Sequence, residues 1–108
     1  MSLRYRIMRL IIFFDVPVAT SDDRKRYRKL HQLLVKEGFL MIQYSVYVRI
    51  VLNKQSALFL EERIKNAAPI DGVVQSLIIT EQQYSNIKFL SGKKIDDVRN
   101  TDDRLIVI

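Results

Sequence analysis

One aspartate offers the clearest chemistry in this sequence. Asp15 directly follows an apolar run at residues 10–14, and most of the charges around it are basic. A carboxylate in that position can hydrogen-bond the turn after a strand, or it can bind a divalent cation, because Mg²⁺ is often held by one or two carboxylates with waters and substrate phosphate. The sequence leaves both interpretations of Asp15 open.

A second copy of the chain would strengthen the metal interpretation, since a single carboxylate makes a weak site. If a twofold axis brings two copies of Asp15 together, the pair can hold Mg²⁺, or another divalent cation such as Mn²⁺, and activate water against a phosphodiester. The two carboxylates would also repel each other and share a proton, so we expect the metal-competent arrangement to require alkaline pH or a conformational change.

Basic residues form the second candidate site. Residues 1–36 contain nine Lys and Arg against three acids, whereas residues 37–108 contain nine of each, so the net charge of +6 comes entirely from the N-terminal third. Such a local excess favours a polyanionic partner, with nucleic acid ahead of an anionic membrane surface. The basic side chains after Asp15 are either a solvated helix face or a track for phosphates. They are Arg24, Lys25, Arg28 and Lys29, with Arg4, Arg6 and Arg9 as an extension.

Several other chemistries lack the residues that they need. The chain has no Cys and a single histidine, His31, which excludes disulfides, thiolate metal sites, thiol nucleophiles and a histidine cluster. Ser45 and His31 do not make a hydrolase signature, because no Gly-x-Ser-x-Gly elbow occurs. A Gly-rich phosphate loop and a dinucleotide fingerprint are also absent. The apolar runs are too short for a membrane span, so we expect a globular protein of the reducing cytoplasm.

The elements around Asp15 are predicted from hydrophobic periodicity. Residues 6–14 are almost continuously apolar, which is typical of a central strand buried on both faces. Val16-Pro17 predicts an extended turn, and residues 20–23 supply acceptors for the first amides of a helix. The helix ends at Gly38. Its inner face, opposite the basic residues, consists of Tyr27, Leu30 and Leu34.

Hydrophobic periodicity also predicts the elements in the rest of the chain. Residues 39–52 are too long for one strand, so we expect a bend or a tight hairpin near Gln43. A second amphipathic helix is predicted over Ser56–Ala68, followed by Pro69. A strand at Val73–Thr80, a short helix at Glu81–Ile87 and a strand at Leu105–Ile108 complete the pattern. The inward residues of the second helix are predicted to be Ala57, Leu60, Ile64 and Ala67.

The order β-α-β-β-α-β, followed by an additional C-terminal strand, predicts a single α+β domain over residues 1–108. This is the order of a ferredoxin-like sandwich with both helices on one face of the sheet. The other face then carries uncovered apolar side chains such as Phe13. We expect a second protomer to cover it, with the C-terminal strand pairing across the interface, so the prediction is a homodimer.

Four motifs occur in order along residues 6–80: an apolar strand ending in Phe14-Asp15, Asp23-Arg24 with Arg28 at the start of a helix, Gly38-Phe39, and Gln43-Tyr44-Ser45-Val46-Tyr47. Together they resemble the Cas2 family, the small CRISPR-associated nucleases of the spacer-acquisition machinery. The stretch Gln43–Asn53 is most similar to members from type II systems, which use a single large effector nuclease.

The resemblance implies a homodimer of ferredoxin-like subunits in which Asp15 is the divalent-metal ligand. It places Ser45 near the active site, where Ser45 is equally well interpreted as a strand residue facing the dimer interface. Many members carry an acid where this chain has Val48, so no role of that acid is transferred. The residues that the resemblance directs toward nucleic acid are Arg24, Arg26 and Arg28, with Lys25 beside them.

The implied function is CRISPR adaptation. Members of the family bridge two dimers of the CRISPR integrase subunit, the Cas1 family, and hold duplex DNA across the bridge. Some members also cleave single-stranded RNA or double-stranded DNA with Mg²⁺, while in others catalysis is dispensable. Three interpretations therefore stay open for this chain: a metal-dependent endonuclease, a non-catalytic DNA-binding adaptor, and a toxin-type ribonuclease of the same fold.

Overall fold

The computed structural model describes residues 7–92 as a four-stranded antiparallel sheet with its two long helices packed against one face. The elements are β1 Met8–Asp15, α1 Ser21–Lys36, β2 Leu40–Gln43, β3 Val46–Val51, α2 Lys54–Ala67, β4 Val73–Thr80 and α3 Glu81–Ser85. The strands lie in the order β2-β3-β1-β4. This is the α+β, ferredoxin-like arrangement that the element order predicted.

β1 is an inner strand, with β3 on one edge and β4 on the other. Leu10, Ile12 and Phe14 point toward the helices and belong to one apolar core with buried residues of α1 and α2. Ile11 points to the opposite face, where it lies across from Val48 of β3, and both are buried. The prediction of a central strand is confirmed, but burial on the second face is limited to Ile11, since Phe13 is half-buried and Asp15 is exposed.

α1 begins where the sequence predicted. The Thr20 hydroxyl accepts a hydrogen bond from the Asp23 amide at 3.0 Å, and the Asp23 carboxylate accepts one from the Thr20 amide at 3.1 Å. This reciprocal pair satisfies two amides that the helix itself cannot pair. After the helix, Gly38 has a φ of 90°, a left-handed conformation that ends it. The inner residues Leu30 and Leu34 are buried, as predicted.

The long apolar segment is a hairpin, as predicted. β2 ends at Gln43, Tyr44 and Ser45 form the turn, and β3 begins immediately after them. α2 begins earlier than predicted, because Asn53 is its N-cap and accepts a hydrogen bond from the Ser56 amide at 2.7 Å. The prediction that Ala67 faces inward is wrong: it is exposed, since it lies in the last turn and no later turn shields it.

The second half of the chain follows the predicted order. β4 covers Val73–Thr80 as expected, and α3 is a short helix that ends at Ser85. The predicted C-terminal strand, Leu105–Ile108, lies outside the described residues, and a single domain over residues 1–108 stays a prediction. Between residues 7 and 92, no helix is long and apolar enough to cross a membrane.

The sheet face opposite α1 and α2 is largely apolar and, apart from the end where α3 meets Arg9, is uncovered in one chain; we call it the open face. Phe13 of β1 is half-buried there, beside the buried Ile11. Large apolar side chains around them are 40–53% exposed: Leu40, Ile50, Val73 and Leu77. Their positions opposite β1 and β3 residues of the same face follow from the strand register.

Candidate active site at the end of the central strand

Asp15 is the last residue of β1 and is exposed. Because side chains alternate along a strand and Phe14 points into the core, Asp15 shares the open face with Phe13. Val73, the first residue of β4, lies directly opposite Asp15 in the sheet. The carboxylate is therefore at the rim of the open face, where β1 ends and β4 begins.

Asp15 lines a surface cleft of about 370 Å³. Ser45 lines the same cleft, so the structure brings together the two residues that the resemblance placed in the active site. His31 is not part of this cleft, and it hydrogen-bonds the Tyr47 hydroxyl through Nδ1 instead. The complete lining is Phe13, Phe14, Asp15, Tyr44, Ser45, Val46, Val73 and Gln75.

The backbone of Ser45 is held in a left-handed conformation. Its φ is 64°, and among residues 7–92 it is the only non-glycine residue with a positive φ. This conformation costs an L-residue about 1–2 kcal/mol, and strain of this kind clusters at functional sites. The Ser45 carbonyl accepts a hydrogen bond from the Phe14 amide at 3.0 Å, which ties the hairpin turn to β1 one residue before Asp15.

Gly72 holds the backbone of Asp15 from the other side. Its φ is 97°, and a Cβ at this position would lie 2.6 Å from the Asp15 carbonyl oxygen and 2.8 Å from the Val16 Cα. Only glycine permits so close an approach between two backbones. The turn before β4 therefore packs directly against the Asp15 peptide, and the carboxylate is positioned by two turns as well as by the sheet.

The cleft of one chain offers a metal ion one carboxylate. Asp15 is the only acidic residue in its lining, and the Ser45 hydroxyl is a neutral oxygen. Within the described range, no group of three or more His, Asp or Glu side chains could hold a metal ion. Carboxylate and hydroxyl oxygens are the donor types that Mg²⁺ accepts, so the residues fit this ion once further oxygens come from a second copy, from water or from a phosphate.

Arg24 and Arg26 are engaged within the chain. Arg24 donates through Nη1 to the carbonyls of Val18 and Ala19, at 3.2 and 3.0 Å, and so braces the loop between Asp15 and α1. Arg26 forms an ion pair of 2.7 Å with Asp23. The Thr20 amide and this guanidinium hold the pKa of the Asp23 carboxyl below its usual value, because both stabilise its charged form.

The remaining basic residues of α1 face solvent. Lys25, Arg28 and Lys29 are exposed on the helix side opposite Leu30 and Leu34, as the periodicity predicted. Their charges are therefore available to a polyanion, whereas one amino group of the Arg24 guanidinium is occupied by backbone carbonyls.

Arg9, the predicted extension of the basic surface, is instead paired on the open face. Its guanidinium donates to both carboxylate oxygens of Glu81 at 2.8 Å and lies 4.2 Å from the centre of the Tyr84 ring. The hydrogen bond with Glu81 raises the pKa of Arg9 and lowers the pKa of Glu81. This bidentate pair attaches α3 to the end of the sheet away from Asp15.

Four aromatic side chains pack in a row at the cleft, and the sequence did not predict these contacts. They are Tyr44, Tyr27, Phe14 and Tyr47. Tyr44 stacks on Tyr27 with ring centres 5.8 Å apart and an angle of 16° between the rings. Tyr27 in turn meets the edge of Phe14, and Phe14 stacks on Tyr47. Burial raises the pKa of Tyr27 and of Tyr47, so both phenols are neutral. One signal was available, since Tyr27 and His31 are spaced to share a helix face.

Comparison with known proteins gives one consistent result. Residues 8–87 match the family described as CRISPR associated protein Cas2. The chain is similar to proteins named CRISPR-associated endoribonuclease Cas2 from Ligilactobacillus salivarius strain UCC118, at 58% identity, and from Lacticaseibacillus rhamnosus strain GG, at 52%. Both alignments cover 94% of this chain and 100% of the relative. A solved structure titled "Crystal structure of cas2" is 25% identical, with a TM-score of 0.57 over 82% of this chain and 91% of the other.

Proposed function

The chain belongs to the family of CRISPR-associated Cas2 proteins, and we propose that it is a divalent-metal-dependent endonuclease that works as a homodimer. The observation that carries this proposal is the position of Asp15, whose carboxylate lies in a cleft at the rim of an apolar, uncovered sheet face. The names of its relatives, which describe endoribonucleases, support an activity on RNA phosphodiesters.

The open face supports the homodimer. Four large apolar side chains on it are 40–53% exposed, and apolar area removed from water contributes roughly 25 cal/mol per Å². Two copies packed face to face about a twofold axis would bury these side chains in both chains at once. Because Asp15 lies at the rim of the same face, such packing would also bring the second Asp15 toward the first.

The two copies of Asp15 would hold Mg²⁺ or Mn²⁺ between them, with the Ser45 hydroxyls nearby. When bound, the ion supplies Lewis acidity and a water of lowered pKa for attack on phosphorus. The protein's own contribution is positioning: the Ser45 carbonyl and Gly72 fix the Asp15 backbone before any ligand arrives. The Ser45 hydroxyl would be a neutral donor for a phosphate oxygen in the cleft that it lines.

We also propose that the dimer binds double-stranded DNA and single-stranded RNA and bridges Cas1-family integrase dimers during spacer acquisition. The support for nucleic-acid binding is the exposed basic face of α1, which begins a few residues after Asp15. The residues proposed to contact nucleic acid are Arg24, Lys25, Arg26 and Arg28, and the internal partners of Arg24 and Arg26 leave Lys25 and Arg28 as the stronger phosphate ligands. A type II origin is proposed on the resemblance of Gln43–Asn53 alone.

A non-catalytic adaptor is the second candidate, and one observation favours it. The cleft of a single chain contains only one carboxylate, so a dimer whose two clefts stay apart would bind nucleic acid without cleaving it. The two candidates share the basic helix and the open face and differ only in whether the two copies of Asp15 meet.

The test is cleavage of single-stranded RNA and of duplex DNA, with and without Mg²⁺, by the wild type and by Asp15→Asn. The variant keeps the shape of the side chain and removes its charge. We expect metal-dependent cleavage by the wild type and none by Asp15→Asn, with binding retained. Asp71→Asn is the matched control, because Asp71 is an exposed aspartate in the turn beside the cleft but does not line it.

Each outcome separates the two candidates. Cleavage that survives Asp15→Asn would contradict the metal site, and binding without cleavage by the wild type would leave the adaptor. Ser45→Gly and Ser45→Ala add a further distinction. Both remove the hydroxyl, but only glycine relieves the left-handed backbone, so equal losses of cleavage would assign the effect to the hydroxyl.

A further inference from the structure

Tyr44 is the most exposed aromatic side chain in the described part of the chain. Its exposed fraction is 69%, although one face of its ring is stacked on Tyr27. In one chain, the other face of the ring is open to solvent. If Tyr44 served only to cover Tyr27, any apolar side chain could take its place. That role does not explain why the second face of the Tyr44 ring is uncovered.

The free ring is also rigid. Behind it, Tyr27 is supported by the edge of Phe14, which is 6% exposed and part of the core. Beneath it, the turn is fixed by the left-handed Ser45 and by the hydrogen bond from the Phe14 amide to the Ser45 carbonyl. A preorganised side chain loses little conformational freedom when a ligand binds, so more of the contact energy appears as affinity.

The surroundings of the ring match one class of ligand. Tyr44 and the adjacent Ser45 both line the cleft that contains Asp15. On the other side, the ring stacks on Tyr27 of α1, the helix whose outer face carries the exposed Lys25 and Arg28. A basic helix that attracts a phosphate backbone and an exposed aromatic face on the same domain are the two features that bind single-stranded nucleic acid.

We propose that Tyr44 is a nucleobase-binding residue, and that the free face of its ring stacks on an unpaired base of the nucleic acid whose backbone passes Asp15. This inference rests on the proposed function and specifies the substrate for that site. Bases inside a duplex are already stacked on each other, so the contact requires a single-stranded segment. Every base has a π face, so the contact selects unpaired over paired nucleotides rather than one sequence over another.

The test measures binding without cleavage. A fluorescently labelled single-stranded RNA of mixed sequence is titrated with protein in EDTA and followed by anisotropy, for the wild type, Tyr44→Phe and Tyr44→Leu. We expect Tyr44→Phe to bind like the wild type. Tyr44→Leu should bind between about 5-fold and 150-fold more weakly, the affinity equivalent of the roughly 1–3 kcal/mol that one base–aromatic stack contributes.

Two controls separate stacking from general damage. Phe59→Leu removes an aromatic ring of similar exposure, 63%, from α2, and it should leave RNA binding unchanged. An RNA of the same length with abasic linkers should bind the wild type and Tyr44→Leu equally, because only the base contact differs between them. Circular dichroism and thermal unfolding verify that each variant is folded.

The outcomes distinguish this inference from the proposed function. Equal binding by the wild type and Tyr44→Leu, or a loss that persists with the abasic RNA, overturns the stacking role alone and leaves the Asp15 proposal standing. A Tyr44 effect in EDTA together with an absence of metal-dependent cleavage overturns the nuclease and keeps the base contact. A wild type that binds no single-stranded RNA overturns the stacking role, and the cleavage of duplex DNA with Mg²⁺ then decides the nuclease separately.

Discussion

Replacement of Gly72 tests how the backbone of the site is held. Gly72 has a φ of 97°, and a Cβ there would lie 2.6 Å from the Asp15 carbonyl oxygen and 2.8 Å from the Val16 Cα. Both atoms belong to the backbone, so neither can rotate away as a flexible side chain would. Gly72→Ala must therefore displace the turn before β4, the end of β1, or both.

The loss in free energy of unfolding expected for Gly72→Ala has two parts. The left-handed conformation costs alanine about 1–2 kcal/mol, and forcing a carbon atom into a closely packed site typically adds about 1–3 kcal/mol. Gly92 isolates the first part, since its φ is 86° but a Cβ there would meet no atom within 4 Å. We expect Gly92→Ala to lower the free energy of unfolding by about 1 kcal/mol and Gly72→Ala by at least about 2 kcal/mol.

The assay is urea unfolding of the three proteins at one protein concentration, because dimerisation would otherwise change the apparent stability. Cleavage of single-stranded RNA with Mg²⁺ is measured in the absence of urea, where all three proteins are folded. We expect Gly72→Ala to lose cleavage because the Asp15 carboxylate is displaced, while Gly92→Ala keeps it. If the two variants unfold with the same free energy and cleave equally well, the Gly72 contact does not position Asp15.

Two further predictions concern charge. Arg28→Ala should reduce the slope of log binding constant against log salt concentration by about 0.9 for duplex DNA. Arg24→Ala should reduce it by less, because the Val18 and Ala19 carbonyls already occupy part of the Arg24 guanidinium. Equal slopes for the two variants would contradict this difference between Arg24 and Arg28. Arg9 holds the pKa of Glu81 below its ordinary value of 4.5, so the pair stabilises the fold above that pH, and the stabilisation is lost as the pH falls through the folded-state pKa. Glu81 is 46% exposed, so this contribution is under about 1 kcal/mol. Glu81→Gln should flatten the acid side of a plot of unfolding free energy against pH, and an unchanged plot would show that the ion pair is not coupled to folding.

Local patterns predicted most of the fold. The Thr20 cap, the end of α1 at Gly38 and the hairpin after Gln43 all depend on residues within a few positions of each other, and all three are confirmed. The position of Asp15 at the end of a central strand follows from the apolar run before it, and this too is confirmed.

Contacts between residues far apart in the sequence could not be predicted from local patterns. The Arg9–Glu81 pair joins side chains 72 positions apart, and no periodicity connects them. The same holds for the stack of Tyr44 on Tyr27 and for the approach of Gly72 to Asp15, which depend on how turns from separate elements meet. The roles of Asp15, Ser45 and the basic residues in catalysis and binding stay predictions for the experiments above.

The pairing of β1 with β4 also determines when the cleft can form. Asp15 lies opposite Val73, and Val73 and Gln75 form one wall of the cleft. This wall is in place only after β4 pairs with β1, which requires the whole segment between these two strands to close into a loop. Contacts of such high sequence separation form slowly, because the entropy of loop closure is lost before they are gained. In a chain emerging from the ribosome, the residues of α1 and of the β2–β3 hairpin are therefore available well before the cleft around Asp15 can form.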